Sequence, residues 1–309
     1  MKYHKDITIL LLTYNSNTSS LYKTLQSIIE QKYVNMELII SDDGSVNFEK
    51  NIIEEYLNVN GFTNYMILDN KMNRGTVNNI RFALNYVHGK YVKFISPGDY
   101  FYDEYSVKKA IDFLNKSEFE IAFGRAIYYS DEIFNTVNKF APLNIFPYKN
   151  RKLFGKKDNN IFVRNHIKYL DTILGASVIL KTDLCREYIE KICKEIRLAE
   201  DAMYLLMIAD GIKIGFFNDA FIYYEYGTGV STDSKNKSFN RVFEEIKTAL
   251  KIIQDTHPEL KRTCLYTLKE DSGVVRFFRR IDRKLYVVFY GNIVGKIENY
   301  FFLKKHNKC

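Results

Sequence analysis

Four short polar segments carry side chains that could bind a ligand, and each lies just after an apolar run. They are residues Thr13–Asn15, Ser41–Ser45, Asn73–Gly75 and Ser96–Asp99. Their hydroxyl, amide and carboxylate groups can form hydrogen bonds with the polar atoms of a small molecule. The structural alternative is that Asp, Asn and Gly occur there only because they form turns readily.

The apolar runs in front of these segments predict the elements that position them. Strands are predicted at Ile7–Leu12, Glu37–Ile40, Tyr65–Leu68 and Tyr91–Ile95, because each run is short and largely apolar. The continuous apolar run Ile7–Leu12 is typical of a strand that is buried on both faces. Helical spacing of apolar residues is found between them, at Leu21–Ile29, Phe48–Leu57 and Val77–Val87, and Gly89 is predicted to end the third helix. Strands that alternate with helices indicate a mostly parallel sheet. Ligands bind such sheets at the carboxyl ends of the strands, where all four polar segments fall.

The cysteine content and the missing glycine motifs exclude several classes of protein. The chain of 309 residues has four cysteines, at positions 185, 193, 264 and 309, and none forms a C-x-x-C pair. A zinc site is therefore not expected, and so few cysteines favour reduced thiols and a cytoplasmic setting. The absence of G-x-G-x-x-G after the first strand and of a P-loop motif removes support for a dehydrogenase or a P-loop enzyme.

The positive charge is concentrated at the end of the chain. Of the net +8, residues 273–309 carry nine basic and two acidic residues, whereas the first 272 residues carry 36 basic and 35 acidic residues. Basic and aromatic residues alternate in this tail, which is typical of a helix lying on an anionic membrane surface. Helices that pack on the protein with a solvated basic face are the alternative. A nucleic-acid partner is not expected, because the rest of the chain is nearly neutral.

The ordered set of motifs resembles family 2 glycosyltransferases with the GT-A fold over roughly residues 6–230. The resemblance is carried by the four polar segments, by Gly175-Ala176 and by Glu200-Asp201. It implies an α/β protein built on a GT-A doubly wound, mostly parallel sheet with a C-terminal helical extension. The expected division is a nucleotide-sugar-binding and catalytic domain at 1–235 and a helical region at 236–309.

The resemblance also implies a reaction. An inverting enzyme of this family moves a sugar from a nucleotide-sugar, usually UDP-linked, to a hydroxyl of a glycan or glycolipid acceptor, with Mn²⁺ or Mg²⁺ as the cofactor. For this chain it implies bacterial surface polysaccharide synthesis in the cytoplasm, at the inner membrane face. Asp201 is then the general base, with Glu200 as the fallback, and Asp99 is the metal ligand. The implied nucleotide-binding residues are Thr13, Tyr14, Asn15, Asp42, Asp43, Asn73 and Gly75.

Three positions depart from the family pattern. The family commonly has Asp-x-Asp-Asp where this chain has Ser96–Asp99, Arg81 replaces a frequent Asn, and Glu225 stands where a Tyr-Arg pair is common. One Asp can suffice, because Mg²⁺ and Mn²⁺ are often held by one or two carboxylates plus substrate phosphates. A non-catalytic partner subunit with the same fold is the alternative function.

Structural roles are the alternatives for the individual acids. Asp99 could cap a helix that begins at about Asp103, or it could complete a Pro-Gly-Asp turn. Glu200-Asp201 could be a capping and dipole feature of a helix N-terminus, and Asp42 and Asp43 could form an Asx turn with Gly44. Residues 130–170, which include His166, are expected to form loops that recognise the acceptor.

Overall fold

The computed structural model describes residues 3–33, 35–129, 160–170, 173–225, 238–268 and 273–286, and the single positions 288 and 297. The strands are β1 Lys5–Thr13, β2 Met36–Asp42, β3 Tyr65–Asp69, β4 Gly89–Ile95, β5 Tyr100–Phe101, β6 Ile121–Tyr129, β7 Val178–Lys181 and β8 Ile214–Glu225. The helices are α1 Thr18–Ile29, α2 Lys50–Val59, α3 Thr76–Ala83, α4 Ser106–Asn115, α5 Asn160–Tyr169, α6 Thr182–Ile192, α7 Ala202–Ala209, α8 Phe239–Thr256, α9 Lys261–Leu268 and α10 Gly273–Tyr286.

The eight strands form one sheet in the order β3-β2-β1-β4-β7-β6-β8-β5. Strands β3, β2, β1 and β4 are parallel, and so are β6 and β8. Strand β7 runs antiparallel to β4 and β6, and β5 runs antiparallel to β8. The prediction of an α/β fold with a mostly parallel sheet and C-terminal helices is confirmed.

The apolar runs form strands because both faces of the sheet are covered. On β1, Leu10 belongs to one hydrophobic cluster, whereas Ile9 and Leu11 belong to the cluster on the opposite face. Helices α1, α2 and α4 cover the second face, and α3, α6, α7 and α8 cover the first. Because α8 contributes Ala249 and Ile253 to the first cluster, it packs on the same core, and the division at residue 235 stays a prediction.

The prediction that Gly89 ends the third helix is wrong. Helix α3 ends at Ala83, a short 3₁₀ turn follows at Leu84–Tyr86, and Gly89 begins β4. The glycine is required by the approach of β1, because an added Cβ would lie 2.3 Å from the Thr8 backbone nitrogen. Its own amide donates a hydrogen bond to the Thr8 hydroxyl at 3.0 Å.

The expectation of loops throughout residues 130–170 is wrong for its last part. Residues 160–169 form α5, because Val163 and Ile167 are one turn apart and both are buried. His166 is fully buried in the same helix, whereas residues 130–159 lie outside the described part of the chain. Within the described ranges, none of the helices is long and apolar enough to cross a membrane.

Candidate active site

Three of the predicted nucleotide-binding residues line one cavity at the carboxyl edge of the sheet. Thr13, Asn15 and Asp42 face a space of about 380 Å³, together with Ser45 and Phe48. The strand register explains why these residues lie together, because Thr13 at the end of β1 pairs directly with Asp42 at the end of β2. Tyr14 lies beside them at the surface and is 51% exposed.

Hydrogen bonds lock the walls of this cavity. Asp42 is fully buried and its Oδ1 accepts from the hydroxyls of Thr13 at 2.8 Å and Ser45 at 2.6 Å. Its Oδ2 accepts from the Ser45 backbone amide at 2.7 Å, so Asp42 forms a local turn as well as lining the cavity. Asn15, with a φ of +46°, accepts from the Val46 amide at 3.0 Å. The two loops therefore hold each other in place.

Asp43 organises the loop after β3. Its two oxygens accept hydrogen bonds from the backbone amides of Arg74 and Gly75, each at 2.8 Å. Burial raises the pKa of Asp43, and these two hydrogen bonds oppose the rise. Asn73 accepts from the Arg197 guanidinium at 2.6 Å through its side-chain oxygen. Gly75 has a φ of +84°, and a Cβ there would lie 2.2 Å from the Arg197 side chain.

Arg197 is a residue that the sequence did not indicate. It lies more than 120 positions from the loop that it holds, and nothing in its local sequence marks it. Its backbone carbonyl also accepts from the Val77 amide at 3.0 Å. The segment that begins at Arg197 leads directly to Glu200 and Asp201, so it connects the loop after β3 to the predicted general base.

Asp99 sits in a tight turn at the end of β4. Gly98 has a φ of +101°, a conformation that favours glycine. Its amide donates to the Thr24 hydroxyl at 3.0 Å, and that hydroxyl donates to the Asp99 carbonyl at 2.7 Å. The capping alternative for Asp99 is wrong, because α4 begins only at Ser106 and the Asp103 carboxylate accepts from the Tyr105 amide and the Ser106 hydroxyl. The turn alternative is confirmed, because the Asp99 amide donates to the Ser96 carbonyl at 3.0 Å.

The Asp99 carboxylate is buried beside a buried cation. Lys93 of β4 is fully buried, and its ammonium donates to the Phe94 carbonyl. Burial raises the pKa of Asp99 and lowers the pKa of Lys93, and the opposite charge of the partner opposes each shift. The sequence indicates this Lys93–Asp99 pair only through the presence of a lysine inside the apolar run Tyr91–Ile95. The strand prediction assigned that lysine no role.

Glu225, at the end of β8, brings a second carboxylate to this turn. Its backbone amide donates to Asp99 Oδ1 at 3.1 Å. Its carboxylate lies against Gly98, where an added Cβ would be 2.0 Å from Glu225 Oε2. The sequence marked Glu225 only as a departure from the family pattern, but the fold places it beside Asp99.

The donor set at this turn fits a divalent cation only together with substrate phosphates. Among the described residues, no group of three or more His, Cys, Asp and Glu side chains is placed to hold a metal ion. The carboxylates of Asp99 and Glu225 are close enough for the charge of Glu225 to raise the pKa of Asp99. Mg²⁺ and Mn²⁺ sites commonly combine one or two carboxylates with phosphate oxygens and water.

Asp201 occupies the position immediately before α7, where a carboxylate can interact with the helix dipole. Its side chain makes no capping hydrogen bond, so that part of the structural alternative is wrong. Its Oδ1 is buried without a well-formed hydrogen bond and lies against Gly175, where an added Cβ would be 2.2 Å away. Burial, and then the charge of Glu200, raise the pKa of Asp201 well above its ordinary value, while the Gly175 backbone opposes the rise.

Asp201 shares the carboxyl edge with Asp99. Strand β7 is antiparallel to β4, with Val92 paired to Leu180, so Gly175 before β7 lies near the end of β4. Tyr204, one turn after Asp201, has a buried hydroxyl for which the described residues provide no hydrogen bond. Burial, and then the charge of Asp201, raise the pKa of Tyr204.

Glu245 of α8 holds the loop in front of Glu200 and Asp201. Its Oε2 accepts from the backbone amides of Leu198 at 2.7 Å and Ala199 at 2.9 Å, and Arg241 bonds its Oε1 at 2.8 Å. Burial raises the pKa of Glu200, and the charge of Glu245 adds to the rise. The sequence did not indicate Glu245, because a Glu on an amphipathic helix usually faces water.

Comparison with known proteins identifies the family and the fold of the chain. A family model described as "Glycosyl transferase family 2" matches residues 8–170. A Haemophilus influenzae protein described as an uncharacterized glycosyltransferase is 21% identical over 241 residues, which are 78% of this chain and 72% of that protein. The Escherichia coli UDP-Glc:alpha-D-GlcNAc-diphosphoundecaprenol beta-1,3-glucosyltransferase WfaP is 22% identical over 242 residues, 78% of this chain and 86% of that protein.

Solved structures share the fold. Residues 1–349 of Staphylococcus aureus TarS in complex with UDP-GlcNAc give a TM-score of 0.57 at 19% identity, covering 79% of this chain and 66% of that one. The Pyrobaculum calidifontis mannosyltransferase PcManGT in complex with GDP-Man and Mn²⁺ gives 0.53 at 11% identity, covering 99% and 87%. The family match spans slightly more than half of this chain, which therefore belongs to glycosyl transferase family 2 and has the GT-A fold.

Proposed function

We propose that this glycosyltransferase moves a sugar from a UDP-linked donor to a hydroxyl group of a glycan or glycolipid, with inversion at the anomeric carbon. The observation that carries the proposal is the Asp201 carboxylate. Its Oδ1 is buried without a well-formed hydrogen bond, the residue as a whole is half-buried, and its pKa is raised. A buried carboxylate with a strongly perturbed pKa at the ligand-binding edge of a sheet is a candidate for proton transfer.

The donor nucleotide is assigned to the loops after β1, β2 and β3. Thr13, Asn15 and Asp42 line the cavity that we assign to the nucleoside, and Tyr14 lies at its border. Asp43, Asn73 and Gly75 shape the adjoining loop through their bonds to one another and to Arg197. The choice of UDP rests on the names of two relatives, because WfaP uses UDP-Glc and the TarS structure contains UDP-GlcNAc.

Asp99 and Glu225 are assigned to the diphosphate end of the donor. They would hold Mn²⁺ or Mg²⁺ together with the donor phosphates, and a bound cation would supply positive charge to the leaving diphosphate. Gly98 leaves room for the Glu225 carboxylate beside Asp99, because a Cβ there would lie 2.0 Å from Glu225 Oε2. Asp99 is held in place by the Glu225 amide.

The transfer itself is assigned to Asp201. Its carboxylate takes the proton of the acceptor hydroxyl while that oxygen forms a bond to the anomeric carbon. The bond between the anomeric carbon and the diphosphate oxygen breaks in the same step, and the nucleoside diphosphate leaves with the electron pair. A raised pKa makes the carboxylate a stronger base, which favours proton transfer near neutral pH. Glu200 is the alternative base, because it is adjacent and its pKa is also raised.

The acceptor class rests on WfaP. The name of that relative states a sugar linked to diphosphoundecaprenol as the acceptor. For this chain we propose a lipid-linked glycan in bacterial surface polysaccharide synthesis, at the cytoplasmic face of the inner membrane. An acceptor carried by a lipid would place the reaction within reach of a membrane surface.

The test is a transfer assay on the full chain with UDP-Glc, UDP-GlcNAc, UDP-Gal and GDP-Man, each with and without Mn²⁺. Released nucleoside diphosphate reports donor hydrolysis, and mass spectrometry of a diphosphoundecaprenol-linked sugar reports transfer. We expect turnover with a UDP-sugar, its loss in Asp201→Asn and its retention in Asp255→Asn, because Asp255 is exposed on α8. No hydrolysis or transfer from any donor would favour the non-catalytic partner subunit.

A further inference from the structure

Helix α10 divides into three sectors around its axis. At about 100° per residue, Arg279, Asp282 and Tyr286 fall on one side. Four apolar residues, Phe277, Phe278, Ile281 and Leu285, fall on a second sector about 100° wide. Arg280, Arg283 and Lys284 occupy the third sector. One of these three sectors can pack on the rest of the protein, and the other two are then left facing away from it.

The first sector docks on α5 and α9. Arg279 and Tyr286 are buried, 7% and 8% exposed. The Tyr286 ring stacks on Tyr169 of α5 with ring centres 3.7 Å apart. Asp282 accepts hydrogen bonds from Tyr169 at 3.0 Å and from Tyr266 of α9 at 2.7 Å. These contacts fix the helix and decide which residues point away from the protein.

The second sector is an exposed apolar surface. Phe277, Phe278 and Leu285 are 61%, 63% and 64% exposed, and Ile281 is 42% exposed. Single exposed apolar residues are normal, but four large ones on one face of one helix mark an interaction surface. We call these four residues the apolar face of α10.

The third sector is basic and carries no acid. Arg280, Arg283 and Lys284 are exposed. Asp282 is the one acidic residue of α10, and it is engaged on the docked side, where Lys168 of α5 also pairs with it at 2.8 Å. The exposed sectors of residues 277–286 therefore present positive charge beside the apolar face.

We propose that the apolar face of α10 and its basic neighbours bind the surface of an anionic phospholipid bilayer. Exposed Phe, Ile and Leu beside Arg and Lys on one helix is the composition that binds lipid headgroups and the outer part of the acyl chains. A second copy of the chain fits less well, because its like-charged Arg280 and Lys284 would enter the same interface. The inference is independent of the proposed reaction, since no residue of this surface lies at the candidate active site.

The experiment is co-sedimentation of the full chain with phosphatidylcholine vesicles, with and without phosphatidylglycerol, at low and high salt. The wild type is expected to bind the anionic vesicles at low salt and to lose most of this binding at high salt. Arg280→Glu/Lys284→Glu is expected to weaken binding by more than roughly tenfold. Lys116→Glu/Lys251→Glu makes the same change in charge at exposed sites elsewhere, and it is expected to bind nearly as the wild type does.

A second pair of variants tests the apolar contribution. Phe278→Ser/Leu285→Ser is expected to weaken vesicle binding at both salt concentrations, whereas Val59→Ser, at an 80% exposed position of α2, leaves it unchanged. Equal binding to neutral and anionic vesicles, or binding by Arg280→Glu/Lys284→Glu at the wild-type level, would overturn the proposal. Failure of the wild type to bind anionic vesicles would also overturn it. Light scattering gives a further test. If the wild type is a dimer and, among these variants, only Phe278→Ser/Leu285→Ser is a monomer, the proposal is overturned, because the apolar face would then be an interface between copies.

Discussion

The two ends of the candidate site satisfy their polar groups in opposite ways. At the nucleotide end, Asp42 and Asp43 are buried, and both oxygens of each accept hydrogen bonds from residues of their own or a neighbouring loop. At the acid end, Asp201 Oδ1 and the Tyr204 hydroxyl are buried without such bonds. Asp99 there is buried beside Lys93, and burial shifts both pKa values.

The difference separates groups that hold a shape from groups that are kept reactive. A buried carboxylate that accepts several hydrogen bonds stabilises the loops around it. A buried carboxylate without full hydrogen bonding costs stability, and such groups are concentrated at functional sites. The loops after β1 to β3 therefore form a preorganised binding surface. Around Asp201, burial disfavours the charged carboxylate, and this favours the uptake of a proton from the acceptor.

The largest expected effect is at Asp201. Asp201→Asn should lower the transfer rate by roughly 10²–10⁴-fold, because the amide cannot take the acceptor proton. It should not lower the Tm, because it removes a buried ionisable group whose pKa is raised by burial. Transfer assays and thermal unfolding on one preparation check both results. A Tm several degrees below the wild type would mean that Asp201 holds the fold, as Asp42 and Asp43 do.

A large effect on stability is expected at Lys93. Lys93→Met leaves the buried Asp99 carboxylate without its neighbouring cation, which should reduce the free energy of unfolding by about 3–5 kcal/mol. Adding Asp99→Asn should restore part of this loss, because the uncompensated charge is then removed. Lys90→Met, the same change at a partly exposed position of the same strand, should have a small effect. Denaturant titration of these proteins, together with Asp99→Asn alone, measures these differences. Additive losses in the double variant would show that the two residues do not interact.

A smaller effect is expected at Asp43. Asp43→Asn places an amide donor where a carboxylate oxygen accepts a backbone N–H, which should reduce the free energy of unfolding by about 1–3 kcal/mol. The Asp69 carboxylate at the end of β3 pairs with Lys71, whose side chain is 83% exposed. Asp69→Asn should therefore change stability by less than about 1 kcal/mol. If Asp43→Asn is as stable as the wild type, the nucleotide end is not held by these hydrogen bonds.

The smallest effect is expected at Glu245, which acts on the site through the loop at Leu198 and Ala199. Glu245→Gln keeps one acceptor oxygen for the two amides, so we expect a fall in kcat with little change in KM for the donor. Glu244→Gln, at the neighbouring exposed position of α8, is the control. Steady-state kinetics of both variants measure kcat and KM. An equal fall in kcat in both variants would show that the effect comes from α8 in general and not from the loop at Leu198 and Ala199.

Local patterns in the sequence were sufficient for the central sheet. Runs such as Ile7–Leu12 are apolar because both faces of β1 are covered, and a run of that length could form little else than a buried strand. The predicted strand ends located the polar loops at the carboxyl edge of the sheet, and the family resemblance supplied the roles expected of their residues. Sequence reasoning failed where a local pattern admitted two structures, as at Gly89, which begins a strand instead of ending a helix.

The contacts that hold the candidate site depend on tertiary structure. Arg197 reaches Asn73 from more than 120 residues away, and Glu245 reaches Leu198 from α8. Lys93 is buried because β4 lies in the middle of the sheet, which the residues around it do not reveal. Each of these side chains is of a type that usually faces water, so composition and spacing gave no reason to expect them at the site.

The pH dependence of kcat/KM tests the central claim, that Asp201 is a base whose pKa is raised by burial and by Glu200. The carboxylate form is required, so the rate should rise with pH through an apparent pKa well above that of an exposed Asp. Glu200→Gln removes one cause of the shift, so it should move this limb to lower pH, and Asp201→Asn should abolish it. A limb that keeps its position in Glu200→Gln and persists in Asp201→Asn would contradict the account.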